Sequence, residues 1–487
     1  MLLGLDLGTT NVKALVTDFA GRQLGEGSCA VRLFQMGGGV EQDIEEIWMA
    51  TRTAVREAVR LVDASAVKAI GVSSQGGALQ LLDASGGPAG RVISWLDQRG
   101  APFDDALSAE LGQPWFAQRL GHGRAGLAIG QLLRLREVNP GLLAVPNRVG
   151  FVGDIIVSRL CGRAAHDGTS CSLTLLYNPA RRDYDPDLLS RLGVTPAQLP
   201  ALLPARAAAG GLLPAFAQET GLRPGVPVSA AIHDQYTAAL AAGAVRAGTV
   251  MVGTGTAWVL LAVGAGLTAP ATPDAFVCHH AAEQLWGQIL SLENGGSALS
   301  WALDLTGHSA ARGDEIDRLL ESVPPGSDGL QCWPLLVALT VAGLPPNTKG
   351  RISGLQLSHR PGHLVRAVLE GLAFELKRHI GLLRDSGLPI ERLVLSGGAA
   401  ASRVTPSLLA DVTGLPLTCA GSRANSALGA AIIARGLCEP ASPLAELAAE
   451  MAPAAGQVEP AAEDSLFYQA QFREYLRSLP LTETNRR

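Results

Sequence analysis

The sequence predicts an α/β protein with two domains, and three observations support this prediction. The chain has 487 residues, more than one hydrophobic core usually serves. Strand-like apolar runs alternate with helix-like amphipathic patterns in both halves. Each half also contains a strand hairpin whose turn is rich in Gly and Thr, at residues 8–10 and 253–256. We therefore expect a duplicated architecture with domains at residues 1–225 and 226–487, divided at a Pro- and Gly-rich stretch.

Composition excludes several classes of protein. Hydrophobic residues make up 47% and charged residues 17%, which is typical of a well-packed globular enzyme. The net charge of −5 argues against nucleic acid or an anionic membrane as the main partner. Seven scattered cysteines without a C-x-x-C motif suggest neither a disulfide framework nor a zinc site. The apolar run at 250–263 is interrupted by Gly and Thr, so we expect a soluble, cytoplasmic protein without a membrane span.

The first strand and its turn carry the clearest chemical signal. Residues 2–7 form an apolar run that only Asp6 interrupts, and the turn Gly8-Thr9-Thr10 leads into a second apolar run. Gly8 allows the backbone to approach an anion, and the threonines offer amide and hydroxyl donors. The carboxylate of Asp6 is suited to Mg²⁺, usually through water. The hairpin is therefore predicted to bind the terminal phosphates of a nucleotide, with a plain turn beside a solvated Asp as the alternative.

The remaining elements follow from periodicity and turn residues. Strands are expected at residues 23–31, 67–75, 79–83, 91–97, 226–233 and 392–396, and the hairpin at 248–263. Helices are expected at residues 44–62, over most of 102–160, and at 234–245, 363–387, 425–436 and 465–479. The last of these helices is expected in the second domain, with the option that it packs back on the first.

Asp234 is the strongest candidate for chemistry because it lies where a buried strand gives way to a helix. The commonest role of Asp at such a place is to cap the helix. The same junction projects a side chain into a cleft, and the helix dipole favours the ionised carboxylate. A carboxylate of this kind can accept the proton of an alcohol that is being phosphorylated. From the residues alone, the cap and the general base both remain open.

Three further segments have both a structural and a functional interpretation. Gln75-Gly76-Gly77 is either a simple turn or the floor of a site for a polar ligand. Asp97 and Arg99 either hydrogen-bond a polyol or form a surface ion pair, and the neighbouring Trp95 is more typical of a core. Gly397-Gly398-Ala399 either permits tight helix packing or lets an adenosine lie against the backbone.

Two common nucleotide motifs are missing from the sequence. No G-x-x-x-x-G-K-[ST] stretch occurs, which excludes a P-loop enzyme. The stretch G-T-G-T-A-W fails the dinucleotide pattern G-x-G-x-x-G at its last position and lies in a hairpin. A nicotinamide cofactor is therefore not expected.

Together, these segments resemble the FGGY family of carbohydrate kinases, in the actin-like ATPase superfamily, with a layout most similar to xylulokinases. DLGTTNVKALVTD resembles the first phosphate motif, and SSQGGALQLLD with SWLDQR resembles the segment that lines the sugar site. IHDQYTAALAAGAVRAGTVMVGTGTAW is similar to the catalytic Asp segment with the second phosphate motif. The most specific match is GRISGLQLSHRPGHLVRAVLE at 350–370, which satisfies the C-terminal signature of the family.

The resemblance implies two actin-like (ribonuclease H-like) ATPase domains, with mixed sheets flanked by helices and a cleft between them. It implies ATP and Mg²⁺ as cofactors, a small-molecule sugar or polyol as partner and, as an option, a homodimer. The residues it assigns are Asp234 as catalytic base; Asp6 for the metal; Gly8, Thr9, Thr10, Lys13, Gly255, Thr256, Gly397, Gly398 and Ala399 for the nucleotide; and Gln75, Gly76, Gly77, Asp97, Arg99 and Gln235 for the substrate.

The sequence departs from the family at one loop. Xylulokinases carry Met-His, and glycerol kinases Arg-Glu, where this chain has Gly76-Gly77. Two substrate-contacting side chains are thus absent, and a side chain from another loop is a candidate to replace them. The expected activity is ATP-dependent phosphorylation of a primary hydroxyl on an open-chain ketose or polyol. The rival interpretations are an actin-like switching ATPase and a sugar-responsive regulatory protein without kinase activity.

Overall fold

The computed structural model describes residues 1–337, 341–421, 425–452 and 456–480. Its strands, in chain order, are β1 (Leu2–Leu7), β2 (Asn11–Thr17), β3 (Gln23–Ala30), β4 (Phe34–Met36), β5 (Gly39–Gln42), β6 (Ile70–Ser74), β7 (Leu79–Leu82), β8 (Val92–Ile93), β9 (Arg148–Phe151), β10 (Ala165–His166), β11 (Tyr177–Asn178), β12 (Asp183–Tyr184), β13 (Ala201–Leu202), β14 (Ala208–Gly211), β15 (Pro227–His233), β16 (Thr249–Thr254), β17 (Trp258–Gly264), β18 (Phe276–His279), β19 (Trp286–Ser291), β20 (Gln331–Trp333), β21 (Arg351–Ser353), β22 (Arg392–Gly397), β23 (Leu417–Cys419) and β24 (Gly456–Val458).

The helices, in chain order, are α1 (Ile44–Val59), α2 (Ala101–Leu111), α3 (Gln113–Leu120), α4 (Ala128–Val138), α5 (Val152–Cys161), α6 (Gly168–Ser172), α7 (Pro186–Leu192), α8 (Pro214–Thr220), α9 (Asp234–Ala242), α10 (Gly296–Leu305), α11 (Asp314–Glu321), α12 (Pro361–Asp385), α13 (Thr405–Thr413), α14 (Ser426–Cys438), α15 (Leu444–Met451) and α16 (Ala462–Arg477). Among the described residues, no helix is both apolar enough and long enough to cross a membrane.

The chain forms two compact units. The first comprises Met1–Val245, Ala265–Gly287 and Ala424–Ala452, and the second comprises Arg246–Gly264, Gln288–Arg423 and Pro453–Arg487. The boundary predicted between residues 225 and 226 precedes β15, which lies inside the first unit because it pairs in parallel with β6. The last helix, α16, lies in the second unit, where it packs against α13.

The first unit is built on a mixed sheet in the order β13-β10-β15-β6-β1-β2-β3, with β14 alongside β15. β1 pairs in parallel with β6 and antiparallel with β2. Because side chains alternate along a strand, Leu3, Leu5 and Leu7 face one side, where they share a core with Ile44 and Ile47 of α1. Asp6 therefore faces the opposite side of the sheet.

Glycines allow α14 to lie directly on that opposite side. A Cβ on Gly4 would collide with the carbonyl oxygen of Ala427, and one on Gly71 with that of Ala430. On the other face of the helix, a Cβ on Gly429 would collide with the carbonyl oxygen of Thr237 in α9. Backbone therefore packs on backbone here, an arrangement that leaves no room for side chains.

A second, antiparallel sheet of the first unit runs β4-β5-β8-β7-β9. Leu79 and Leu81 of β7 pack in a core with Phe116, Leu132 and Leu188, from the helices around the sheet. One prediction was wrong here: the strand expected at 91–97 is limited to β8 because the following residues form a turn. Helices occupy most of residues 102–160, as expected, and this stretch also contains β9, which pairs with β7.

The second unit repeats the mixed pattern along β19-β17-β16-β22-β23-β24. β16 pairs antiparallel with β17, as expected for the hairpin, and in parallel with β22. The long helix α12 packs against α10, α11 and α13 and is buried along most of its length. Mixed sheets flanked by helices thus occur in both units, which confirms the predicted α/β class.

Candidate active site

The β1–β2 turn of the first unit holds Asp6 close to a second carboxylate. The Oγ of Ser73, on β6, donates a hydrogen bond to Oδ1 of Asp6 over 3.1 Å. Burial raises the pKa of Asp6 to about 7, and the negative charge of Asp234 adds to that shift. The two acids therefore share one electrostatic neighbourhood. Lys13, the register partner of Asp6 on β2, is exposed and opposes the shift only weakly.

Asp234 is the first residue of α9, directly after β15, and 28% of its side chain is exposed. Burial raises the pKa of Asp234 to about 6, while the backbone and side chain of Gln235 lower it. At neutral pH, the carboxylate is thus ionised in the free protein, yet close to the range in which a general base works best. No side-chain capping bond forms at the start of α9, which disfavours the interpretation of Asp234 as a helix cap.

Three side chains from separate segments converge on Thr9. Its Oγ1 donates to Oε1 of Gln75 over 3.1 Å and accepts from the indole N–H of Trp95 over 3.1 Å. Gln42 donates its amide to the carbonyl oxygen of Thr9 over 2.8 Å and accepts from Gln75 over 3.1 Å. Trp95 is 44% exposed, which contradicts its assignment to a core. This network places Gln75 beside the β1–β2 turn, and it includes Gln42, which the sequence analysis missed.

Asp97 and Arg99 form the predicted pair, but other groups already occupy the carboxylate. Arg99 donates to Asp97 over 2.6 Å and to Glu41 over 2.7 Å. Asp97 also accepts the backbone N–H of Val40 over 2.8 Å and the amide of Gln131 over 3.1 Å. These bonds hold the end of β8 against β5, and a direct contact of this pair with a polyol stays a prediction.

The Gly76-Gly77 turn lies beside the residue that precedes the candidate base. Gly77 has a φ of +71°, in the left-handed region that favours glycine. His233 occupies the N-cap position of α9, at the end of β15, and packs next to Gly76. Its Nε2 lies 3.3 Å from Oδ1 of Asp234. Burial lowers the pKa of His233 to about 3, so the imidazole is neutral.

In the second unit, Thr254 connects the two predicted nucleotide segments. Its Oγ1 donates to the carbonyl oxygen of Ser396 over 2.7 Å and accepts the backbone N–H of Ala399 over 3.2 Å. Gly397 has a φ of +90° and approaches Thr254 so closely that a Cβ would lie 2.8 Å from Oγ1. The β16–β17 turn and the Gly397-Gly398-Ala399 turn are thus adjacent.

The N-terminus of α10 fixes the other end of the β16–β17 turn. The backbone N–H groups of Gly296 and Ser297 donate to the carbonyl oxygens of Gly255 and Thr256, each over 3.0 Å. These bonds use only carbonyl oxygens of the turn. Among the described residues, the hydroxyl of Thr256 and the backbone N–H groups of Gly255 and Thr256 therefore stay available to an anion.

Asp6 has the properties that a Mg²⁺ site requires, although the protein supplies few ligands. Its carboxylate is in an environment that penalises the negative charge, and a nearby cation would relieve that penalty. Among the described residues, no group of three or more His, Cys, Asp or Glu side chains could hold a metal ion. A cation at Asp6 would therefore be completed by water and by substrate oxygens, which suits Mg²⁺.

Comparison with family models identifies the chain. Residues 1–241 match the N-terminal domain of the FGGY family of carbohydrate kinases, and residues 248–435 match its C-terminal domain. The chain belongs to the FGGY family of carbohydrate kinases. It is therefore a phosphotransferase with two domains of the actin-like ATPase fold, as the sequence predicted.

Relatives of this FGGY kinase include proteins with two different names. The chain is 31% identical to a glycerol kinase of Gloeobacter violaceus over 438 residues, covering 85% of this chain and 84% of the relative. It is 29% identical to a xylulose kinase of Escherichia coli over 455 residues, covering 91% of each. A xylulose kinase structure from Rhodospirillum rubrum superposes with a TM-score of 0.89 at 26% identity, covering 98% of this chain and 97% of that one. Such similar identities do not decide the substrate.

The C-terminal signature of this FGGY kinase organises the interior of the second unit. Glu370 accepts the backbone N–H of Gly326 over 2.8 Å, the hydroxyl of Tyr468 over 2.9 Å and the Nε–H of Arg366 over 3.1 Å. Its other oxygen accepts the hydroxyl of Ser327 over 2.9 Å. Another residue of the signature, His363, caps the start of α12 and contacts Asp328 over 3.0 Å. The motif that is easiest to recognise in the sequence is therefore structural.

Proposed function

We propose that this protein is an ATP-dependent kinase that phosphorylates a primary hydroxyl of an open-chain ketose or polyol. The observation that carries the proposal is the Asp234 carboxylate, which is partly exposed and ionised at neutral pH, at the start of α9 in an FGGY chain. In the reaction, the sugar hydroxyl attacks the terminal phosphorus, its proton passes to Asp234, and the bond from that phosphorus to ADP breaks.

Other residues of the first unit bind and orient the reactants in this proposal. Gln75 and the turn Gly76-Gly77 contact the sugar, and Gln235 steadies the carboxylate of the base. Asp97 and Arg99 contribute through the end of β8, which they hold in place.

The nucleotide contacts come from three backbone turns. Gly8, Thr9 and Thr10, with Lys13, are assigned to the phosphates in the first unit, and Gly255 and Thr256 in the second. Gly397, Gly398 and Ala399 are assigned to the adenosine. Mg²⁺ would be held near Asp6 and would neutralise phosphate charge as it develops. Anion binding by successive N–H groups of this kind is common in phosphate sites.

The test is a coupled assay of ADP release over pentuloses, hexuloses, pentitols and glycerol. The proposal predicts that ADP appears only when one of these acceptors is present, and that Asp234→Asn lowers kcat at least ~10²-fold. As a matched control, Asp63→Asn changes an exposed Asp that caps a short 3₁₀ turn, and it should leave kcat unchanged.

Each rival gives a different result in the same assay. ADP release that does not depend on an acceptor indicates a switching ATPase. A sugar that raises the melting temperature without ADP release indicates a regulatory protein. An unchanged kcat in Asp234→Asn would contradict the role of the base.

A further inference from the structure

The imidazole of His233 occupies the space that a side chain at position 76 would need. A Cβ built on Gly76 would lie 2.8 Å from Cδ2 and 2.9 Å from Nε2 of His233, and 2.6 Å from Cβ of Leu173. Carbon atoms do not approach so closely, so any residue larger than Gly would press on both the His233 ring and Leu173. The absence of a side chain at Gly76 and the position of the His233 ring beside Asp234 therefore depend on each other.

The surroundings of His233 hold its ring in one place. Its backbone N–H donates to Oγ1 of Thr169 over 3.1 Å, and Thr169 in turn donates to Asp167 over 2.7 Å. The rings of His233 and Tyr236 form an edge-to-face pair with their centroids 6.2 Å apart. The whole residue is 6% exposed, so the imidazole has little freedom to turn away from Gly76.

The two ring nitrogens of His233 differ in their surroundings. Nδ1 is buried and has no hydrogen-bond partner among the described residues. A buried N–H without an acceptor is costlier and rarer than a buried lone pair without a donor. In a neutral imidazole, the proton therefore belongs on Nε2, the nitrogen that lies 3.3 Å from Oδ1 of Asp234.

We propose that His233 is a positioning residue for Asp234, and that Gly76 is glycine because it must make room for this ring. In this role, the Nε2 side of the ring, 3.3 Å from Oδ1, orients the carboxylate and so leaves Oδ2 to accept the proton of the substrate hydroxyl. This inference rests on the proposed function, in which Asp234 is the base. It also names the side chain that fills the loop where the sequence lacks the family's usual pair.

Three substitutions of His233 test this role. His233→Gln keeps an N–H donor near the position of Nε2, whereas the shorter His233→Asn reaches only the position of Nδ1, and His233→Phe keeps the ring volume without a donor. We expect Gln to retain kcat within about threefold, and Asn and Phe to lower it by about tenfold to a hundredfold, with KM nearly unchanged. Melting temperatures identify any variant that fails to fold.

Two results would overturn the inference while the proposed function stands. One is a wild-type kcat in both Asn and Phe. The other is a rise in KM at constant kcat in all three variants, which indicates that the ring only shapes the pocket. Gly76→Ala adds a separate check: because it presses on the same ring, its effect on kcat should not add to that of His233→Asn.

A spectroscopic measurement tests the inference without turnover. Long-range ¹H–¹⁵N spectra of the whole protein report which ring nitrogen carries the proton, and His233→Gln assigns the signal by its disappearance. The inference requires a neutral ring protonated on Nε2, and a proton on Nδ1 would overturn it. If the wild type releases no ADP with any acceptor, the proposed function fails, and the tautomer still decides whether the donor faces Asp234.

Discussion

Two carboxylates of this kinase, Glu370 in the second unit and Asp234 in the first, differ in the number of hydrogen bonds that they accept. Glu370 receives four donors: a backbone N–H, two hydroxyls and the guanidinium of Arg366. Among the described residues, Asp234 accepts hydrogen bonds only from the groups of Gln235, while Nε2 of His233 lies 3.3 Å from its Oδ1 and the other ring nitrogen of His233 is buried without a partner. One acid is saturated, whereas the other is left free for a reactant.

This difference in hydrogen bonding distinguishes a carboxylate that stabilises the fold from one that is suited to catalysis. A buried charge with every lone pair satisfied stabilises one arrangement of the chain and has no capacity for a substrate. A partly desolvated acid with few donors has a raised pKa and can take a proton, which is the property of a functional site. The residue most useful for recognising the family is thus not the residue that performs the reaction.

The strongest test of these two roles is to replace each carboxylate with its neutral amide. Asp234→Asn should lower kcat at least ~10²-fold without lowering the melting temperature, because the carboxylate serves the reaction and not the fold. Glu370→Gln should instead cost about 3 kcal/mol of unfolding free energy, since it leaves Arg366 buried without its counter-charge. Urea unfolding and ADP release measure the two effects, and the comparison fails if both variants lose stability equally.

The next largest effect should come from the glycines beneath α14. Gly71→Ala should cost about 1–3 kcal/mol of unfolding free energy because its Cβ meets the carbonyl oxygen of Ala430. Gly381→Ala is the matched control: it lies on α12 with open space at its Cβ, and should stabilise by up to about 1 kcal/mol. Equal effects at the two positions would show that the close packing is not needed.

The pH dependence of kcat/KM tests whether the raised pKa of Asp234 governs activity. The pKa of Asp234 is raised to about 6, and the base must be ionised, so activity should fall as the pH drops through about 6. The free energy of unfolding should change in the opposite direction and rise as the pH falls through this range. A carboxyl whose folded pKa exceeds its unfolded pKa favours folding more as pH falls from about 6 to about 4. The stabilising effect of Asp234→Asn should therefore be larger at pH 7 than at pH 4.

The smallest expected effect concerns Trp95, whose indole donates to Thr9. Trp95→Phe removes this bond but keeps an aromatic ring, and one hydrogen bond contributes about 0.5–1.5 kcal/mol. We expect a several-fold rise in KM for the acceptor and little change in melting temperature. An unchanged KM would exclude the Thr9 network from the sugar site.

Local patterns were sufficient to predict the elements that carry the chemistry. The β1–β2 hairpin, the junction at Asp234, the turn at 253–256 and the long helix α12 all lie where periodicity and turn residues place them. Each depends on neighbours within a few residues, and such signals are legible in one sequence. The prediction of a strand at 91–97 was wrong because only its first part is a strand. The residues after β8 form a turn, which Val40 and Gln131 hold through hydrogen bonds to Asp97.

What the sequence could not predict is which distant side chains meet. Gln42 and Trp95 reach Thr9 from 33 and 86 residues away. His233 and Gly76 are also far apart in the chain, and the match of a ring to a missing side chain appears only when both are placed. The first glycine of S-Q-G-G gave no signal for this match, since a glycine pair is equally typical of a plain turn.

The recruitment of α14 to the first unit has a consequence for biosynthesis. The glycine face of β1 and β6 is made well before the helix that covers it, which is encoded more than 350 residues later. During translation, that face must wait, uncovered, until Ser426–Cys438 has left the ribosome. A fragment that stops at Val245 would lack this cover, so the first unit is completed only after α14 has been synthesised.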